Sequence, residues 1–160
     1  MVYSLHLLHQ QLLDRLALYE KEGAAGASVS EMWRYAIRGQ TGHIAAPDEN
    51  CDAIPYVPEQ VQELIELDAS SLALDLGCLA GYGMFDFVAR RKSAGRPVPK
   101  MIGLDSNETS VRAGAELGGI WAEGLDVSFR AADASQTGLE SGSVSLVIAR
   151  LLLPYVAVVP

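Results

Sequence analysis

The sequence predicts an α/β fold in which short parallel strands alternate with helices. Short apolar runs and helical stretches follow one another from Leu72 onward, which is typical of a parallel sheet with crossover helices. The first apolar run passes directly into a turn that contains Gly77 and Gly81. With 49% apolar residues in a chain of 160, the protein can bury a real core. We therefore expect one sheet-containing domain at 58–160, preceded by a smaller region at 1–57.

Residues 1–57 are expected to form a helical cap followed by a loop. Apolar residues at spacings of three and four predict a first amphipathic helix, with the stripe Leu5, Leu8, Leu12, Leu16 and Tyr19. Ser28 followed by Glu31 has the spacing of a capping box and predicts a second short helix that ends at Gly39. Residues 39–57 are rich in Gly, Pro, Asp and Asn without periodicity, which predicts an ordered loop that covers a site.

The elements of the sheet-containing domain follow in order from Pro58. Proline suits the first position of a helix, here one whose Val61, Leu64 and Ile65 are expected to face inward. The apolar runs predict strands near 72–76, 101–105, 126–131 and 144–149. Helices are predicted near 83–92 and 107–117, and the second of these begins at Ser106 or Asn107. The connection at 135–143 is too short and polar for a helix.

The charge balance argues against a nucleic-acid substrate. Twenty acidic and twelve basic residues leave a net charge of −8, which repels a phosphate backbone. The basic residues Arg90, Arg91, Lys92, Arg96 and Lys100 lie where a helix should end. Positive side chains are favourable at that place because they meet the negative end of the helix dipole.

Two cysteines and the N-terminal residues bear on the cellular compartment. Cys51 and Cys78 form no CxxC pair and have no plausible metal ligands beside them, so we expect a reducing compartment and no metal site. The N-terminal apolar run contains Asp14 and lacks a basic leader and a small-residue cleavage site, so it predicts a helix and not a signal peptide. We expect a cytoplasmic protein.

The segment from Leu72 to Gly83 is the most informative part of the sequence. It reads as an apolar strand, a glycine-bearing turn and the beginning of a helix. Glycine permits a tight turn and a close approach of the main chain to a ligand, while the helix N-terminus directs amide donors at that ligand. Asp75 adds an acceptor near the turn.

This segment resembles motif I of class I S-adenosylmethionine-dependent methyltransferases, an acidic residue followed by Gly-x-Gly-x-Gly. Asp75, Gly77 and Gly81 match the motif, whereas Leu79 replaces the central glycine. We expect Leu79 to take an ordinary negative φ and to point away from the cofactor. The resemblance implies a Rossmann-like sheet in the order 3-2-1-4 and S-adenosylmethionine as the cofactor, with S-adenosylhomocysteine as the product.

The resemblance extends to the ends of the later strands. It implies that Asp105 accepts hydrogen bonds from both ribose hydroxyls, and that Asp133 and the next amide recognise the adenine. Arg150 either pairs with the cofactor carboxylate or is a solvated residue. The full set of implied cofactor contacts is Asp75, Gly77, Cys78, Leu79, Gly81, Asp105, Ser106, Asp133, Ala134 and Arg150.

Each aspartate also has an ordinary structural interpretation. Asp75 fits a strand-end turn, Asp105 a helix cap and Asp133 a loop. All three, however, fall at the carboxyl ends of successive predicted strands, where open α/β sheets bind ligands. A nicotinamide-binding Rossmann unit is the nearest competitor, but the glycine spacing from Gly77 to Gly81 fails its Gly-x-Gly-x-x-Gly pattern at the second glycine.

The family's sheet has seven strands, and the sequence supplies the first four. The fourth predicted strand would then be an apolar unpaired edge, which invites association. We expect a second polypeptide, a domain-swapped copy or further sequence to complete the sheet, and hence an oligomer.

The expected reaction is transfer of a methyl group from S-adenosylmethionine to a small-molecule acceptor. His43 in the loop is the candidate base that takes a proton from the acceptor, although a surface histidine without a chemical role fits the same position. The alternative is a noncatalytic methyltransferase-like subunit that stabilises or regulates a partner. Leu79, the missing half of the sheet and Ser145, which stands where the family often has an aspartate, favour that alternative.

Overall fold

The chain divides into two compact units, residues 1–64 and 65–160, which are described separately. The computed structural model describes residues 57–149 together with Gln11, Asp14 and Leu18. In the first unit these three isolated residues are helical, as the first predicted helix requires. The second predicted helix and the predicted loop as far as residue 56 lie outside the described residues.

Helix α1 (Glu59–Leu64) is present where predicted and begins one residue after the expected first position at Pro58. The Pro58 carbonyl accepts hydrogen bonds from the amides of Val61 and Gln62, both at 3.0 Å. The expectation that Val61 and Leu64 face inward is wrong, since they are 43% and 83% exposed, whereas Ile65 lies just after the helix and is half-buried. Gln62 is buried instead, and its amide nitrogen donates to the Val57 carbonyl at 2.7 Å, so a satisfied polar side chain occupies the inner face of this short helix.

The second unit contains a parallel sheet whose described strands lie in the order β3-β2-β1-β4. This confirms the predicted fold class and strand order. The strands are β1 (Leu72–Leu76), β2 (Lys100–Asp105), β3 (Val127–Ala131) and β4 (Leu146–Ile148). The crossover helices are α2 (Tyr82–Ser93), which joins β1 to β2, and α3 (Glu108–Trp121), which joins β2 to β3. No helix separates β3 from β4, as the polar connection predicted.

The core of the second unit lies between its two central strands and the helices α2 and α3. Ala73 and Leu74 in β1 are buried, as are Met101 and Leu104 in β2, because helices and neighbouring strands surround both strands. Helix α2 contributes its largest side chains, including the fully buried Phe87. Strands β3 and β4 are much more exposed, so the burial of the sheet declines from its centre to both described edges.

The basic run at the end of α2 does more than meet the helix dipole. Arg91 is 2% exposed, and its guanidinium donates to the Pro97 carbonyl at 2.7 Å and to the Leu67 carbonyl at 3.4 Å. It also lies over the Phe87 ring at 5.6 Å from the centroid. Burial, followed by the charge of Arg96, lowers the pKa of Arg91. Arg91 therefore connects the segments that lead into β1 and β2.

Strand β4 forms one edge of the described sheet. Its register places Ala73 opposite Leu146 and Asp75 opposite Ile148. Val147, between them, is 53% exposed. None of the helices in the described part of the chain is both long enough and apolar enough to cross a membrane.

Candidate functional site

The turn after β1 has a backbone in which every second residue is left-handed. Gly77, Leu79 and Gly81 have φ values of 71°, 50° and 78°. The expectation of a negative φ at Leu79 is therefore wrong. Leucine takes a conformation that usually requires glycine, at a cost of about 1–2 kcal/mol. The turn thus keeps a glycine-like path even though a side chain stands at its central position.

Hydrogen bonds to the end of β2 fix this path. The amides of Gly77 and Cys78 both donate to the Leu104 carbonyl, at 2.8 and 3.0 Å. The Leu79 amide donates to Oδ2 of Asp105 at 2.9 Å. Contacts with a neighbouring strand therefore override the local preference of leucine, which explains why the sequence-based expectation failed.

Asp105 lies at the carboxyl end of β2, where the resemblance placed the acceptor for the ribose. It is 8% exposed, and its second oxygen, Oδ1, accepts from the Asn107 amide at 2.9 Å. Asn107 is the N-cap of α3, since its side chain accepts from the Ser110 amide at 2.9 Å. Of the two predicted caps, Asn107 is the one observed, and Ser106 is an exposed residue beside the carboxylate.

The segment after β3 is anchored to the same place. The Ala132 amide donates to the Asp105 carbonyl at 3.0 Å, so the chain leaves β3 alongside the end of β2. Asp133 follows as an exposed residue whose Oδ1 accepts from the hydroxyl and the amide of Ser135, at 2.6 and 2.7 Å. These bonds hold the pKa of Asp133 below its ordinary value. Ala134 is half-buried.

Asp75 and Cys78 are interior residues. Asp75 is completely buried and stands opposite Gly103 in β2. Cys78 is 4% exposed, and its thiol donates to the Leu79 carbonyl at 3.4 Å. Burial, with smaller contributions from the charges of Asp75 and Asp105, raises the pKa of the Cys78 thiol far above its ordinary value. The thiol is therefore not a nucleophile, and only the backbone of Cys78 is available for a ligand.

Phe129 is the structural residue of this site that the sequence analysis missed. A Cβ added at Gly81 would lie 2.5 Å from the Phe129 ring, and one added at Gly114 would lie 2.7 Å from it. At Gly103 the same ring would be 3.1 Å away. The ring also contacts Phe85, with centroids 5.9 Å apart and planes inclined by 52°.

Glycines from the β1 turn, β2 and α3 therefore form a cradle for one aromatic ring. The sequence signal is weak, because these three glycines are far apart and only the fold brings them together. Glycine is therefore required at position 81 for two reasons, its positive φ and the Phe129 ring that packs where a Cβ would lie.

The remaining predicted site residues lie beyond what the structure describes. These residues are His43 and Arg150, and their roles stay predictions. Within the described part of the chain, no group of three or more His, Cys, Asp or Glu side chains is placed to hold a metal ion.

Comparisons with known proteins bear on the fold alone. No family model and no curated protein matches the sequence. A solved structure from Methanococcus maripaludis, provisionally described as an S-adenosyl-L-methionine-dependent methyltransferase, matches 66% of this chain with a TM-score of 0.54 and 12% identity. The match covers 45% of that protein, so this chain spans less than half its length. The described sheet has the fold of a class I methyltransferase, as its strand order also indicates.

Proposed function

We propose that this chain binds S-adenosylmethionine at the carboxyl edge of its sheet and transfers the methyl group to a small-molecule acceptor. The observation that carries the proposal is the β1 turn, left-handed at Gly77, Leu79 and Gly81 and held against the carboxylate of Asp105. This arrangement brings a tight glycine-like turn and a fixed acceptor together at the edge where open α/β sheets bind ligands.

The residues present fit a nucleoside with two ribose hydroxyls. Each oxygen of Asp105 accepts one backbone amide, from Asn107 and Leu79, and a carboxylate oxygen accepts about two hydrogen bonds. Asp105 therefore keeps acceptor capacity for a pair of hydroxyl donors. Asp133 and Ala134, which follow the strand beside it, would meet the adenine. Gly81 has a different role in the proposed site. The Phe129 ring occupies the place where a Cβ of Gly81 would lie, and the ring supports the turn.

The contribution of the chain to the reaction would be binding and alignment. When bound, S-adenosylmethionine would supply an electrophilic methyl group, which passes to the nucleophile of the acceptor as the C–S bond breaks and the neutral thioether S-adenosylhomocysteine leaves. The chain would align the acceptor with this methyl and exclude water from it. In this proposal Arg150 pairs with the carboxylate of the methionine end and His43 takes the proton of the acceptor.

Calorimetric titration with S-adenosylhomocysteine tests cofactor binding. We expect measurable heat with the 160-residue chain and a loss of about 1.5–3 kcal/mol in binding free energy for Asp105→Ala, because a charged acceptor for two donors is removed. Asp126→Ala is the matched control, since Asp126 lies just before β3 and has an exposed carboxylate. Its Oδ2 is 3.9 Å from Nζ of Lys100. The proposal fails if the unsubstituted chain gives no binding heat, or if both variants weaken binding equally.

A noncatalytic subunit that stabilises a partner is the second candidate function. Leu79 at the central position of the turn favours it, because a side chain occupies a position where the family has none. Transfer of a labelled methyl group to a panel of small hydroxyl, amine and thiol compounds separates the two. Binding of S-adenosylhomocysteine without any transfer supports the subunit, whereas transfer to any acceptor excludes it.

The proposal includes a second chain, or a swapped copy of this one, that completes the sheet beside β4. The support is the half-exposed Val147 in β4, which forms one edge of the described part of the sheet, because an apolar sheet edge favours association. Size-exclusion chromatography with light scattering should give a dimer or larger species, and a stable monomer at all concentrations would contradict this part. A cytoplasmic location is likewise proposed, supported by a buried free thiol at Cys78.

A further inference from the structure

We infer that Asp105 is a positioning residue that holds the Leu79 peptide in its left-handed conformation, separately from any contact Asp105 makes with a ligand. The effect on ligand affinity rests on the proposed function, whereas the effect on the turn does not. Leu79 is the one non-glycine residue with a positive φ in the described part of the chain. The left-handed region is disfavoured for such a residue by roughly 5- to 30-fold, so another interaction must hold it there.

The bond from Leu79 to Asp105 is placed to supply that interaction. Of the residues in the turn, Gly77 and Gly81 adopt positive φ without steric cost, and their bonds go to backbone carbonyls. The amide of the strained residue, Leu79, is the one that donates to a carboxylate, Oδ2 of Asp105, at 2.9 Å. A hydrogen bond to an ionised acceptor is roughly twice as strong as one to a neutral acceptor.

Asp105 is itself held in place, so it can impose a geometry on the turn. Asp105 pairs with Ala131 of β3 in the parallel register, and the backbone carbonyl of Asp105 accepts from the Ala132 amide. Its other carboxylate oxygen accepts from Asn107 at the start of α3. Strand β3 thus fixes the backbone of Asp105 and the start of α3 fixes its carboxylate, so the Leu79 peptide conforms to a carboxylate that two neighbouring segments hold.

This arrangement makes the shape of the turn depend on a residue that is also proposed to contact the ribose. Loss of the Asp105 carboxylate should then harm ligand binding twice, once through the missing contact and once through the altered turn. The second loss depends on leucine being at position 79, since glycine adopts the same φ without strain. Replacing Leu79 by glycine should therefore remove the second loss and leave the first.

A double-mutant cycle of L79G and D105N separates the two losses. Asparagine retains one acceptor oxygen, so it cannot serve both the Leu79 and the Asn107 amides. We expect D105N to weaken S-adenosylhomocysteine binding by a factor that is smaller in the L79G background by roughly fivefold or more. L79A is the control, because alanine removes the leucine side chain but keeps the left-handed cost. L79A should give no such rescue, and equal losses in all backgrounds would overturn the inference.

Measurements without ligand keep the inference testable if the unsubstituted protein binds no S-adenosylhomocysteine. In that case the proposed function fails, but D105N should still shift the φ of residue 79 out of the left-handed region in the original background and not in L79G, as NMR coupling constants and chemical shifts would show. Amide hydrogen exchange at position 79 should accelerate in D105N and remain slow in the protein with Asp105. If residue 79 keeps its left-handed φ in the original D105N protein, the inference is wrong; Asp105→Glu, which displaces the carboxylate, replaces D105N in this measurement if D105N does not fold.

Discussion

The two ends of the parallel sheet are held together by different means. At the carboxyl end, the turn after β1 is fixed by backbone amides that donate to Leu104 and Asp105, and one of its residues is strained. At the amino end, one buried side chain, Arg91, ties together the segments that precede β1 and β2. The comparison indicates that hydrogen bonds from backbone amides shape the carboxyl end, where the proposed ligand site lies, whereas a single buried side chain stabilises the amino end.

Removing Arg91 should have the largest effect on stability and little effect on binding. Arg91→Ala leaves the Pro97 and Leu67 carbonyls without their donor and opens a cavity beside Phe87, which should cost about 3–5 kcal/mol in the free energy of unfolding. Arg91→Met, which keeps most of the apolar stem, should cost about half as much. Urea unfolding measures both. A change in S-adenosylhomocysteine affinity of the folded protein comparable to the loss of stability would contradict the division between the two ends.

A methyl group at Gly81 should have the next largest effect. Gly81→Ala combines a positive φ of 78° with a Cβ only 2.5 Å from the Phe129 ring, and we expect a loss of about 2–4 kcal/mol in the free energy of unfolding. Gly95→Ala is the matched control, because Gly95 has a φ of 64° and no atom within 4 Å of the added Cβ. It should cost about 1 kcal/mol.

The difference between these two glycine variants measures the packing of Phe129 under the turn. Phe129→Leu in the Gly81→Ala background should recover part of the loss by making room for the methyl group. If Gly81→Ala and Gly95→Ala destabilise the protein equally in thermal or urea unfolding, the cradle contributes nothing.

The smallest expected effect concerns an exposed aspartate before β1. Hydrogen bonds from Ser70 and Ser71 lower the pKa of Asp68 to about 2. A folded-state pKa below the unfolded value means that the stabilisation is complete above about pH 4 and is lost as the pH falls toward 2.

Titration followed by NMR should show the Asp68 carboxyl changing charge near pH 2, and S70A should raise that value. The slight decline in stability below pH 4 should become smaller in the Asp68→Asn protein. A pKa of Asp68 near 4 in the folded protein would contradict the geometry of this turn.

Local sequence signals predicted the framework of the second unit well. The strand at 72–76 has the predicted bounds, and Asn107 was one of the two predicted caps of α3. These features depend on short apolar runs and on capping chemistry within a few residues. The positions of Asp105 and of the β1 turn followed from the same signals, because the carboxyl ends of parallel strands share one edge.

The wrong or missing predictions involve contacts between distant residues. The φ of Leu79 is set by a carboxylate 26 residues away, which no local rule for leucine includes. The charge of the basic run at the end of α2 was taken to explain its place there. The buried position of Arg91 instead follows from its hydrogen bonds to two carbonyls in other segments. Phe129 was passed over because only the folded sheet brings three separate glycines to its ring.

The ring of Phe129 also links positions that would otherwise vary independently during evolution. At Gly114 the three atoms nearest to an added methyl all belong to Phe129, so a smaller residue at 129 would remove the closest clashes with alanine there. At Gly103 the sulfur atoms of Met84 and Cys78 would still lie 2.6 and 2.7 Å from the methyl, so this glycine would remain fixed until they change too. Substitutions in diverging lineages should therefore appear in a set order, with 129 before 114 and 103 last.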